Sequence, residues 1–115
     1  MTTSPVTALL AIIDDERWED LPTVLAEDCV IERPGAAPLT GLARIEQFYR
    51  HERPVAQGLH KIERIVAEGE AAACWGTFTG TGRDGSAIVA RFADTFLLEA
   101  GSIRHRTTYL HGPAH

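Results

Sequence analysis

The sequence predicts an α+β fold with helices on one face of an antiparallel sheet. Three observations predict it. Amphipathic helical spacing is confined to the first half of the chain. The second half is filled by alternating segments rich in β-branched, aromatic and aliphatic residues. Those segments are joined by the short turns Glu68 to Glu70, Arg83-Asp84-Gly85 and Glu99 to Ser102.

In order, Met1 to Pro5 reads as a loose tail, with Ser4 and Pro5 a plausible cap and first-turn pair. Val6 to Asp14 reads as a helix, because Val6, Leu9, Leu10 and Ile13 share one face. After a break at Asp15 to Arg17, Trp18 to Ala26 reads as a second helix. Its stripe is Trp18, Leu21, Val24 and Leu25, and Pro22 lies in the first turn. Asp28 to Arg33 is a short strand, broken by Pro34, Gly35 and Pro38. Leu42 to Glu52 is a third helix with Ile45, Phe48 and Tyr49 inward. Arg53 to Leu59 reads as a linker. His60 to Ala67 and Ala71 to Thr81 are strands, and Arg91 to Leu98 with Ile103 to His111 form a long hairpin.

The chain of 115 residues suits one domain, 1–115, with its own core. With 44% hydrophobic and 23% charged residues it has an ordinary globular composition. Its net charge of −5 argues against nucleic acid, which wants a basic face. The apolar run Ala8 to Ile13 is too short to span a membrane and has no basic leader, so neither a membrane nor a signal peptide is expected. Cys29 and Cys74 match no metal spacing and read as two buried, reduced thiols of a cytoplasmic protein. No two histidines and a carboxylate show ligand spacing, so no metal is expected.

Three stretches carry a family resemblance: LAEDCVIERPG at Leu25 to Gly35, PLTGLARIEQFY at Pro38 to Tyr49, and the closing FADTFLLEAGSIRHRTTY. With the element order they resemble the nuclear transport factor 2-like (cystatin-like) superfamily, and within it the SnoaL-like and ketosteroid isomerase-like group. The resemblance implies a cone-shaped, curved antiparallel sheet wrapped around a cavity closed by three N-terminal helices. It implies a cofactor-independent enzyme acting on a small hydrophobic, oxygenated molecule by acid–base chemistry. Isomerisation, cyclisation, dehydration and epoxide hydrolysis all occur on this fold, as do non-catalytic binding and accessory domains. It also implies a homodimer through the outer sheet face, where Phe78, Leu97, Ile103 and Tyr109 are expected. The steroid isomerase site itself does not carry over. The position of the family's base is Arg33, that of its tyrosine is Leu9, and only its second acid survives, as Asp94. Steroid isomerisation is therefore not expected.

Asp94 is the leading catalytic candidate, because alternation puts it between Phe92 and Phe96 on one strand face with Ile88, Ala90 and Leu98. Apolar burial favours the neutral acid, a donor; a nearby arginine favours the ion pair. Arg106, on the same strand face as Arg104, Thr108 and Leu110, is expected beside it, as an anion clamp or as its salt-bridge partner. On this reading Asp94→Asn removes activity and leaves the fold intact. His60 is a candidate base if it faces the cavity, and an exposed strand-end residue otherwise. Arg33 either binds a substrate carboxylate or pairs with Glu32 or Asp28 on the surface. Trp75, Thr77, Thr79 and Thr81 share a face and, placed inward, line the cavity with Phe92, Phe96 and Thr108. A cavity filled by Trp75 and Phe92 would point to an accessory role. His105 is expected on the outer face, and His111 and His115 at the tail.

Overall fold

The apolar spacing from Val6 to Ile13 becomes helix α1 (Ser4–Asp14), which buries Val6, Leu9, Leu10 and Ile13. This computed structural model describes residues 4–112. The expected tail at Met1 to Thr3, the side chain of Ser4 and His115 lie outside the described residues.

The second helix is shorter and tighter than its spacing suggests. Trp18–Thr23 winds as a 3-10 segment. Pro22 brings no N–H, the Thr23 hydroxyl donates to the Asp20 carbonyl at 2.6 Å, and the Val24 N–H closes onto Leu21 at 3.1 Å. Val24 and Leu25 are buried, but at the start of a strand. β1 (Leu25–Glu32) begins where the helix was expected to continue, because Ile103 donates to the Val24 carbonyl at 2.7 Å and Leu25 pairs with Ile103. A two-residue strand, β2 (Leu39–Thr40), pairs with β1. The third helix is α2 (Leu42–Gln47) continued by a wider π turn, Phe48–Glu52, and it buries Ile45, Phe48 and Tyr49.

Four long strands follow: β3 (Val55–Glu68), β4 (Ala71–Gly82), β5 (Ala87–Glu99) and β6 (Ser102–His111). The expected linker at Arg53 to Leu59 is mostly strand, paired with β4 from Val55 onward. The last hairpin closes on Ala100 and Gly101, with φ of 52° and 83°, the two left-handed residues that a right-twisted two-residue turn needs. The sheet order is β2-β1-β6-β5-β4-β3. Every adjacent pair is antiparallel except β1 and β6, which are parallel. The sheet is therefore mixed rather than wholly antiparallel. β1 precedes the meander and takes the free edge of its last strand.

Curvature comes from bulges in β3, at Val55/Gln57 and Ile62/Arg64, and in the β5–β6 pair at Leu97/Leu98. Opposite the β3 bulge at Ile62/Arg64, β4 carries Gly76. A Cβ on Gly76 would overlap the carbonyl oxygen of Lys61, which is backbone and cannot swing aside. Gly76→Ala is expected to cost about 3 kcal/mol or more. That corresponds to a fall of about 10 °C in melting temperature. Thermal unfolding followed by circular dichroism checks it, and an unchanged midpoint would mean that the two strands do not approach this closely.

The concave face carries the core. Ile88, Ala90, Phe92, Asp94, Phe96 and Leu98 of β5 are all buried, as alternation predicts. Phe92, Phe96 and Leu98 join residues of α1, the 3-10 segment and α2 in one cluster. Among the described residues, no helix is long and apolar enough to cross a membrane.

Candidate active site

A cavity of about 600 Å3 opens between the helices and the concave sheet face. Ile13, Tyr49, Arg53, His60, Phe78 and Arg106 line it, drawn from α1, the π turn, β3, β4 and β6. Two polar assemblies reach this cavity.

The first joins α1 to β3. Asp14, the last residue of α1, holds His60 twice. One carboxylate oxygen accepts the His60 backbone N–H at 2.8 Å, and the other lies 2.7 Å from the ring Nδ1. Both side chains are about nine-tenths buried, at 9% and 11% exposure. The imidazole is fixed between the rings of Phe78 and Phe92, at 4.7 and 5.0 Å. A carboxylate on Nδ1 selects the tautomer with its proton there, which leaves the lone pair on Nε2. That is the arrangement of an oriented general base.

The second joins β5, β6 and the π turn. Asp94 is wholly buried, and one of its oxygens accepts from Arg106 Nε at 3.2 Å and Nη2 at 2.9 Å. Arg106 Nη1 donates to the Tyr49 hydroxyl at 3.1 Å. Burial works against the Arg106 guanidinium, and the neighbouring Asp94 and Tyr49 more than offset it, so its pKa stays raised. Tyr49 stacks on Trp18 at 5.1 Å. Its oxygen accepts from Arg106, so its own proton can be donated into the cavity.

Three more arginines, Arg33, Arg53 and Arg83, line the same space, and two of them lie over aromatic rings. Arg53 is 6% exposed and lies over the rings of Trp18 and Tyr49, at 5.6 and 5.8 Å. Burial pushes its pKa down from the usual arginine range. Arg33 lies 4.2 Å above the Phe48 ring and donates to the Ala37 carbonyl at 3.2 Å. Cys29 and Cys74 are buried deeper. Burial pushes their thiols up to about 11 and about 12, so both stay protonated and neither is a nucleophile at neutral pH. Among the described residues, no group of three His, Cys, Asp or Glu could hold a metal ion.

A family model described as "SnoaL-like domain" matches residues 6–106. The chain belongs to the SnoaL-like family. No curated protein matches it. Among solved structures it resembles a nuclear transport factor 2-like protein of unknown function from Burkholderia pseudomallei. The TM-score is 0.87 at 16% identity, over 96% of this chain and 90% of that one. It also resembles an LEH-like epoxide hydrolase of M. tuberculosis, with TM-score 0.84 and 22% identity over 96% and 82%. A protein of ketosteroid isomerase-like fold from Catenulispora acidiphila, in complex with trimethylamine, superposes with TM-score 0.83 and 18% identity over 95% and 86%.

The SnoaL-like cavity gathers some of the residues singled out from the sequence and excludes others. His60, Arg33, Arg106 and Thr108 line it. Arg33 does not pair with Glu32 or Asp28; Glu32 is taken by His105 on the outer face. Asp94, Phe92 and Phe96 share the concave face but lie in the core beside the cavity rather than on its wall. Asp94 therefore reaches the cavity only through Arg106.

Trp75, Thr77, Thr79 and Thr81 point the other way. β4 pairs Cys74 with Asp94 and Gly76 with Phe92, so the buried set is Ala72, Cys74 and Gly76, and Trp75 lies outside opposite Ala93. At Gly76 and Gly80 the inner face carries no side chain, because a Cβ there would meet the β3 backbone at Lys61 and Gln57. Phe78, expected outside, lines the cavity for the same reason of parity. Ile103, also expected outside, is fully buried and Arg104 is exposed, because the bulge at Leu97/Leu98 inserts one residue and flips the phase of β6. Leu9, at the position of the steroid isomerase tyrosine, is core.

Asp14, Tyr49 and Arg53 were not singled out as site residues. Asp14 carried one signal. An acid in the last turn of a helix opposes the helix dipole, and α1 has no basic residue there to balance it.

Proposed function

We propose that this protein is an acid–base enzyme for a small hydrophobic, oxygen-bearing metabolite, working with its own side chains as an isomerase, cyclase, dehydratase or epoxide hydrolase. The observation that carries the proposal is the Asp14–His60 pair, which shares one 600 Å3 cavity with the Tyr49–Arg106 pair. His60 Nε2 takes a proton from a carbon next to a carbonyl, or from water. Negative charge then develops on the substrate oxygen, where Tyr49 donates its proton or a hydrogen bond backed by the Arg106 cation. Asp94 acts as a positioning residue for Arg106. Arg33 and Thr108 contact substrate. The accessory reading needs a cavity filled by Trp75 and Phe92. Trp75 is 37% exposed on the other face and Phe92 lies in the core, which favours the enzyme.

The test is incubation with a panel of small cyclic ketones and cyclic epoxides in D2O, read by mass spectrometry. Deuterium entering next to the carbonyl, or diol formed from an epoxide, is the expected result. A panel returned unchanged would sink the catalytic reading.

We also propose a homodimer through the outer sheet face, with the two buried thiols suited to a reducing cytoplasm. The apolar residues there are Leu59, Val66, Trp75, Val89, Leu97 and Tyr109, exposed by 37–61%. An exposed sheet face this apolar is suited to a second copy of itself. Light scattering at micromolar concentration should give twice the chain mass for the parent and a monomer for Trp75→Glu. A monomeric parent refutes the interface.

A further inference from the structure

We infer that the ligand of this cavity is an anion, a hydrophobic carboxylate whose charged end sits between Arg53 and Arg33. The inference rests on the proposed reading of the cavity as the substrate site, and names the class of molecule that enters it.

The charges around this cavity are not balanced. The chain carries a net charge of −5, yet Arg33, Arg53, Arg83 and Arg106 all line this cavity against one lining carboxylate, Asp84. The surrounding acids are already engaged. Asp14 holds His60, Asp94 holds Arg106, Glu52 is held by both terminal nitrogens of Arg44, and Asp84 accepts from the backbone and hydroxyl of Ser86. Glu16 and Asp14 act on Arg53, and Glu52 on Arg33, only through space.

The cations are not matched in the same way. The guanidinium of Arg53 makes no hydrogen bond or ion pair among the described residues; its contacts there are with the Trp18 and Tyr49 rings. Arg33 keeps one bond to the Ala37 carbonyl, and its Nε is buried without a partner. A buried guanidinium without a counter-charge is unfavourable. The buried Arg53 and the half-buried Arg33, on one wall, are matched together by a carboxylate, whose two oxygens suit guanidinium donors. The Phe48 and Tyr49 rings, which line the cavity beside them, provide the apolar body of the subsite.

The experiment compares 2-naphthoate with its neutral methyl ester by isothermal titration calorimetry on the full chain. The acid should bind at least about tenfold tighter, a preference that weakens with added salt. Arg53→Met should bring the two affinities to near equality and at the same time raise the melting temperature of the ligand-free protein, since an unpaired buried charge is removed. If Arg53→Met does not fold, Arg33→Met must reduce the preference and Arg53→Lys must keep part of it. An acid that binds no tighter than its ester, including the case where neither binds at millimolar concentration, overturns the inference. So does a preference that survives both arginine replacements. A protein that turns over the ketone or epoxide panel without an acid preference loses this inference alone. One that prefers acids but leaves the panel unchanged loses the catalytic reading alone.

Discussion

His60→Gln is expected to lower turnover by roughly a hundred- to ten-thousand-fold, the range of a lost general base, with little change in KM. Glutamine fills much of the imidazole volume and can still contact Asp14, so the wall between Phe78 and Phe92 is kept. Asp14→Asn tests the same device from behind. The amide oxygen can still accept the His60 backbone N–H, which Asp14 receives at 2.8 Å. Its NH2 then faces Nδ1 and donates to it, which moves the ring proton to Nε2 and removes the base. The expected loss is again in kcat, at near-parental melting temperature. Both variants are to be assayed on whichever panel compound the parent transforms. If His60→Gln stays within threefold of the parent, the dyad is structural and another group moves the proton.

Asp94→Asn is expected to be the most damaging replacement for stability. The sequence suggested a variant that loses activity with the fold intact, since an amide still hydrogen-bonds. The structure changes that expectation. Asp94 is wholly buried and Arg106 is 5% exposed, so the substitution leaves a guanidinium in the core without its counter-charge. Breaking one half of such a pair costs about 3–5 kcal/mol. Activity should fall as well, because Arg106 would no longer hold its place beneath Tyr49. The double replacement Asp94→Asn with Arg106→Met removes both charges and should recover much of the stability without recovering turnover. Urea unfolding of the parent, both single variants and the double variant measures the coupling. A parent-like midpoint for Asp94→Asn would show that the pair contributes little to stability.

The sequence alone determined the architecture and the concave face of β5. Val6, Leu9, Leu10 and Ile13 repeat at helical spacing, and Ile88 to Leu98 alternates without a fault, because each of these faces is buried along its whole length. The pairing of Asp94 with Arg106 was also within reach, since the two strands are joined by a two-residue turn. Other features depend on which backbone lies alongside. Trp18 to Ala26 has helical spacing, but Leu25 is drawn into a parallel pairing with Ile103, far along the chain. The face of β4 could not be read locally. At Gly76 and Gly80 its inner face carries no side chain because the β3 backbone crowds it, which leaves Trp75 and the threonines as the conspicuous, and misleading, side chains. In β6 a single bulge reversed the phase between Ile103 and His105. The site shows the same division. His60 was visible as a candidate, but its partner Asp14 lies 46 residues earlier, at the end of a different element. Arg53 looked like part of a linker. Only the packing of α1 and the π turn over the curved sheet brings these groups to one cavity, because hydrogen bonds and charges act through space while periodicity reports only the face a residue takes.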